Sequence, residues 1–315
     1  MEEAGDLGDL LWAAGVVARP RLVVPLAGGD IADVRRVELE NRETVVVKLG
    51  RVGSNGGVAS DFEARAREES SGLRAIAATR TLPTPAVLGI ATLGNRSALV
   101  LEDLGGPASV GDADWVEFGR RLADLHAGDA VAFGFDHSNH LGHTPQDNRS
   151  VEPDDWAIFL RERRLMPMRE ALERLGRADA TDLADLDRLA DRLEDLLPRG
   201  IRPGLLHGDL WSGNVHPTRD RGIAVFDPAV FRGDPLFELG MMRLFGGFPP
   251  ACQAAYRERL VEHRGDEALE SAELRIELGR LHHLLNHWLL FGDGYAAESR
   301  RALGGLNRSA PRSRP

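Results

Sequence analysis

The chain of 315 residues holds one cysteine, Cys252, and only two tyrosines, and its 39 Lys and Arg are outnumbered by 49 Asp and Glu. A single cysteine excludes an internal disulfide and suits a reducing compartment. The formal charge of −10 leaves no broad basic face to hold a phosphate backbone, so nucleic acid is not an expected partner. No apolar run approaches the roughly 20 residues that span a bilayer. The opening stretch "MEEAGDLGDLLWAAGV" is acidic where a secretory leader would carry Lys or Arg. These absences point to a soluble, cytoplasmic protein without a membrane partner, expected as a monomer or weak dimer. What remains, 43% hydrophobic and 28% charged, is globular and long enough for two lobes.

Two textures divide the chain. Residues 20–104 alternate short β-branched runs with Gly-Gly and Asn-Arg-Glu breaks, as in "RLVVPLAGGDIADVRRVELENRETVVVKLG", the pattern of hairpin-connected strands. From about residue 112 the apolar residues fall at helical spacing, in "WVEFGRRLADLHAG" and "LADLDRLADRLEDLL". Strand character returns once, in "GLLHGDLWSGNVHPTRDRGIAVFDPA", which predicts a hairpin. The expected division is a nucleotide-binding lobe over residues 1–103, a larger lobe over 104–303, and a polar, Pro-bearing tail over 304–315. The segment "GRVGSNGG" at 50–57 lacks the lysine and the strand-to-helix setting of a Walker loop and reads as a linker.

One stretch concentrates chemistry. In "LLHGDLWSGNV" (residues 205–215), His207, Asp209 and Asn214 form H-x-D-x-x-x-x-N, the spacing of a kinase catalytic loop. There the Asp receives the substrate hydroxyl proton and the Asn holds a metal. The template also needs a second acid beyond a short hairpin, and Asp227 in "AVFDPA" occupies that place. A capped turn would not need it. Asn214 and Asp227 are hard oxygen donors that suit Mg²⁺, which keeps other positions for water and phosphate. His207 holds the loop rather than reacting. Trp211 either offers an apolar platform to an acceptor ring or packs beneath the loop.

A kinase also needs a strand lysine for the α- and β-phosphates of ATP. "TVVVKLG" places Lys48 at the end of a β-branched run. The following segment "SDFEARAREESSGLRAI" opens with Ser60 and Glu63 in capping-box spacing. Its apolar stripe runs Phe62, Ala66, position 69, Leu73 and Ile76. Position 69 is Glu, and a carboxylate on a buried stripe is costly unless a cation meets it. Lys48 is the natural partner. Gly28 and Gly29, between two predicted strands, would let backbone amides approach phosphate. Leu101, Glu102 and Asp103, at the junction of the textures, would present backbone to adenine. His126 is expected packed. His282, His283 and His287 lack the acid of a zinc-protease pattern and read as core or pocket lining.

These motifs, in this order, resemble the fructosamine kinase (ketosamine-3-kinase) family, a branch of the aminoglycoside-phosphotransferase-like kinases. "LLHGDLWSGN" with "FDPAV", and especially Trp211, carry the resemblance; "MMRLFGGFP", "FGFDHSNHLGHTPQDN", "RERRL" and "LLFGDGY" extend it over residues 20–303. It implies an α+β, bilobal protein-kinase-like fold that uses ATP and Mg²⁺ in a cleft. The implied reaction moves the γ-phosphoryl group to the 3-hydroxyl of a ketosamine, free or on a glycated protein, and the 3-phosphate then releases the amine in a deglycation. "LFELGMM" departs from the family's E-x-D-L-A-M by placing Glu238 at the acid that braces the catalytic loop. Two other functions compete: a kinase for aminoglycosides, choline-like alcohols or nucleosides, and a non-catalytic pseudokinase. The second predicts a lost catalytic or metal group, yet Lys48, Asp209, Asn214 and Asp227 are all present.

Overall fold

The computed structural model describes residues 2–26, 33–51, 62–128 and 130–311. The chain forms two compact units. Unit 1 comprises residues 1–109 and returns for 216–227, and unit 2 comprises 110–215 and 228–315.

Unit 1 is built on an antiparallel sheet. Its strands are β1 (Pro20–Pro25), β2 (Asp33–Leu39), β3 (Thr44–Arg51), β4 (Val87–Leu93) and β5 (Arg96–Glu102) in the order β1-β2-β3-β5-β4. Successive side chains on a strand point to opposite faces, and β3 shows the consequence. Val45, Val47 and Leu49 enter one buried cluster with Ala98 and Val100. There they meet Leu7, Leu10 and Leu11 of helix α1 (Glu2–Ala13). Val46 faces the other side with Leu99 and Leu101, against Ala66 and Leu73 of helix α2 (Phe62–Thr79). Lys48 follows Val46 by two residues and therefore points to the α2 side. Helix α1 differs from the sequence reading, which took this acidic segment only as evidence against a leader; its leucines at 7, 10 and 11 with Ala14 make a helical stripe that needs the sheet to show its worth.

Unit 1 extends six residues past the expected boundary at 103. It also reclaims the hairpin of β9 (Val215–Pro217) and β10 (Ile223–Val225) from residue 216 onward. Hydrogen bonds explain this. Ala108 N–H donates to Pro217 O, Val225 N–H donates to Pro83 O, and Arg221 pairs with Glu102 at 2.9 Å. Ser60 and most of the 50–57 segment, like Gly28 and Gly29, lie outside the described residues. Glu63 is engaged by Arg67 and by Thr92 Oγ1.

Unit 2 is mainly helical: α3 (Asp112–Ala127), α4 (Trp156–Leu160), α5 (Met166–Arg174), α6 (Ala180–Leu196), α7 (Pro235–Phe245), α8 (Pro250–Arg264), α9 (Ala272–Phe291) and α10 (Ala296–Arg308). Short antiparallel pairs join them, β6 (Asn139–Leu141) with β7 (Thr144–Gln146) and β8 (Gly204–Leu206) with β11 (Phe231–Gly233). Leu186, Leu189 and Leu193 of α6 meet Leu281, Leu284 and Trp288 of α9 in one core. Helix α10 corrects the expected tail. It runs through Arg308, Leu306 is buried with Leu303 and Ala302, and Arg192 donates to Ser309 O at 2.6 Å. The polar, glycine-bearing composition after residue 303 hid a stripe that α6 and α9 bury. Among the described residues no helix is long and apolar enough to cross a membrane.

Candidate active site

The predicted residues fall into two half-sites, one in each unit. In unit 1, Lys48 Nζ lies 2.8 Å from Glu69 Oε1 and also contacts Asp227 Oδ1. The Lys48 and Glu69 side chains are only 12% and 17% exposed. The sheet and α2 produce the first contact: β3 aims Lys48 at the α2 face, and the stripe of α2 carries Glu69 among Ala66, Leu73 and Ile76. The second contact closes 179 residues of sequence. Asp227 follows β10 with φ of 56°, a left-handed conformation uncommon outside glycine and most tolerated by Asn and Asp. Sparse conformations of this kind are held where the surroundings over-determine them.

Charge balance within this trio is uneven. Burial by itself would lower the Lys48 pKa, but the facing Glu69 and Asp227 carboxylates outweigh it and hold the ammonium charged. Burial pushes the Glu69 acid up to about 7, against the pull of Lys48 and helped by the repulsion of Asp227. One ammonium therefore serves two acids, and burial makes the Glu69 carboxyl easier to neutralise than an exposed glutamate.

At the β5 end, Leu101 is buried. The Glu102 carboxylate accepts from Ala86 N–H at 3.0 Å and from Arg221. Asp103 accepts from Gly105 N–H at 2.9 Å and contacts Arg36. Burial raises the Asp103 pKa, but the Gly105, Thr44 and Arg36 hydrogen bonds bring it below the usual value. Both carboxylates thus secure the strand end, and Glu102 N–H itself donates to Ala86 O at 2.8 Å.

In unit 2 the loop after β8 carries Asp209 and Asn214. Asn214 Nδ2 donates to Asp209 O at 2.9 Å and reaches Asp209 Oδ2 at 3.4 Å. Beneath the loop lies Glu238 on α7, buried and at the position the sequence assigned to bracing. Its Oε2 accepts from His207 N–H at 2.5 Å, and its Oε1 from Gly208 N–H at 3.1 Å. Burial raises the Glu238 pKa, but His126 and the His207 amide more than offset it, so the carboxyl stays ionised. His126, fully buried as expected, stands 3.6 Å from Glu238 by Nε2 and 2.8 Å from Tyr256 Oη by Nδ1. Gly208 has φ of 83°, and a Cβ there would sit 2.1 Å from Ala229 O. Only glycine permits that turn.

Trp211 is 37% exposed and folds over Gly213, where a Cβ would meet the indole at 2.2 Å. The ring is neither fully buried under the loop nor free of it. Its edge contacts Phe245, from which a row continues through His287 to Phe291 and Tyr295. The sequence reading held Phe245, Phe291 and Tyr295 only within the motifs "MMRLFGGFP" and "LLFGDGY", with no role of their own, and placed His287 only in a core-or-pocket cluster. The four-residue spacing of 287, 291 and 295 was the available signal. His282 and His283 are buried. Among the described residues no three His, Cys, Asp or Glu gather as a metal site. Asn214 in unit 2 and Asp227 in unit 1 each carry an oxygen donor of the kind that Mg²⁺ takes alongside water and phosphate.

The family model for fructosamine kinase matches residues 15–308. A protein of Synechocystis named as a ketoamine kinase is 36% identical over 237 residues, 75% of this chain and 76% of that one. Mouse ketosamine-3-kinase is 32% identical over 269 residues, covering 76% of this chain and 82% of its own. A crystal structure from Thermobifida fusca, described as a fructosamine-3-kinase, superposes with a TM-score of 0.78 at 26% identity, over 96% of this chain and 98% of the other.

Proposed function

Because this chain belongs to the fructosamine kinase family, with its protein-kinase-like α+β fold, we propose that it transfers the γ-phosphoryl group of ATP to the 3-hydroxyl of a ketosamine. Lys48 in contact with both Glu69 and Asp227 carries this reading, since a strand lysine, a helix acid and the acid beyond the hairpin are the charged parts such a transfer uses.

Lys48, oriented by Glu69, binds the α- and β-phosphates. Asp209 accepts the hydrogen bond of the acceptor hydroxyl and turns it toward the γ-phosphorus. Base assistance of this kind contributes about 10²- to 10⁴-fold, with positioning adding more. Glu238 holds the backbone of His207 and Gly208 so that Asp209 keeps its place. Asn214 and Asp227 would hold Mg²⁺, which when bound offsets negative charge on phosphate oxygens. The backbone around Leu101–Asp103 meets adenine and Trp211 supports the sugar; the phosphate role read from the sequence for Gly28 and Gly29 falls outside the described residues. The acceptor is a ketosamine on a small amine or a protein side chain, and the lone, buried Cys252 accords with cytoplasmic residence.

The test is an acceptor panel with ATP and Mg²⁺, read by phosphorus NMR. The expected product is 1-deoxy-1-morpholinofructose phosphorylated at C3. Transfer to an aminoglycoside or choline with none to the ketosamine would reject the proposal.

A further inference from the structure

Trp211, Phe245 and Phe291 are exposed by 37%, 43% and 59%, and they lie on one connected aromatic row that starts on the loop of Asp209. Ring centroids are 5.7 Å apart from Trp211 to Phe245 and 5.2 Å from Phe245 to His287. From His287 they are 5.5 Å to Phe291 and 5.0 Å to Tyr295. His287 is the polar member in the middle. Its Nδ1 lies 2.7 Å from the carbonyl oxygen of His283. A carbonyl only accepts, so Nδ1 carries the proton and, in the neutral ring, Nε2 keeps its lone pair. Among the described residues Nε2 has no hydrogen-bond partner. Burial lowers the His287 pKa, with the His283 carbonyl opposing. The ring is accordingly neutral near pH 7.

A half-buried acceptor bordered by aromatic rings suits a cationic donor. The rings attract positive charge through their quadrupoles, and a charged N–H makes a stronger hydrogen bond than a hydroxyl. We propose that His287 reads the amine of the acceptor: Nε2 accepts the protonated amine N–H, with Phe245, Phe291 and Tyr295 as its surroundings. This rests on the ketosamine reading and adds the residue that tells a ketosamine from a sugar lacking the amine.

The experiment compares two acceptors, 1-deoxy-1-morpholinofructose and its isostere in which CH replaces the ring nitrogen joined to the sugar. Wild type is expected to show a KM about tenfold or more lower for the amine. His287→Phe, which keeps an aromatic ring and removes the lone pair, raises the amine KM about tenfold. It leaves the isostere KM within about twofold, and kcat falls less than KM rises. His287→Gln, whose amide oxygen accepts, recovers part of the loss. Equal wild-type KM values for the two acceptors overturn the inference without any variant. So does an equal rise for both acceptors in His287→Phe. Wild type that phosphorylates neither compound rejects the ketosamine reading itself, a separate outcome.

Discussion

The two half-sites are held by different physics. In unit 1, Lys48, Glu69 and Asp227 come from a strand, a helix and a post-hairpin turn, and their mutual charge holds them together. In unit 2, the Asp209 loop is held through its backbone, by one buried carboxylate on two amide N–H groups and by a glycine whose Cβ would strike Ala229 O. A charged trio presents a cation. A backbone cradle fixes direction. Phosphoryl transfer asks for both, a cation on the donor and an in-line acceptor hydroxyl.

Substitutions can break that contrast. Asp209→Ala is expected to lower kcat by about 10³-fold with little change in melting temperature, because the loop is braced by Glu238. Steady-state kinetics beside a thermal melt check it. Lys48→Met should damage binding and stability together. It leaves two partly buried acids facing each other, at a cost of about 3 kcal/mol, and raises the nucleotide KM. Pairing it with Glu69→Gln should recover part of the stability, as denaturant melts will show. Glu238→Ala strips the partner from two buried amides, a loss of about 2 kcal/mol, and lowers kcat through the loop alone. Glu238→Gln, whose amide oxygen still accepts, should lose less in both assays.

The smallest effect tests unit 2 away from its loop. Burial pushes the His283 imidazole down to about 3, with His287 adding to it. The native state therefore binds fewer protons than the unfolded chain between pH 3 and about 6.5. The contribution of His283 to stability is complete above about pH 6.5 and is lost as the pH falls toward 3. Melting temperatures from pH 7 to 4 should decline less steeply in His283→Gln than in wild type. An unchanged slope would mean that other groups drive the acid sensitivity.

Much of this arrangement was legible residue by residue. The β-branched run that ends at Lys48 marked a strand lysine, and the three- and four-residue steps of α2 placed Glu69 on a stripe where a carboxylate needs a cation. Elsewhere the local signal was weak. β6 and β7 have three residues each, too few for periodicity, and are tied by Asn139, Gln146 and Asn148 instead. The end of α10 looked like a tail because its apolar residues are sparse, until Leu303 and Leu306 are seen against α6 and α9.

The sequence by itself determined the chemical inventory: the H-x-D-x-x-x-x-N loop, an acid beyond the hairpin, a strand lysine and a stripe glutamate. Spacing along a helix or strand decides which side chains share a face, and that is local physics. The tertiary structure alone decided that Lys48 meets Asp227, that Glu238 reaches two loop amides over His126, and that four aromatic residues line up with His287 from Trp211. Apart from the local steps from His287 to Phe291 and Tyr295, those contacts join residues tens to hundreds of positions apart, and sheet register and helix packing set their distances.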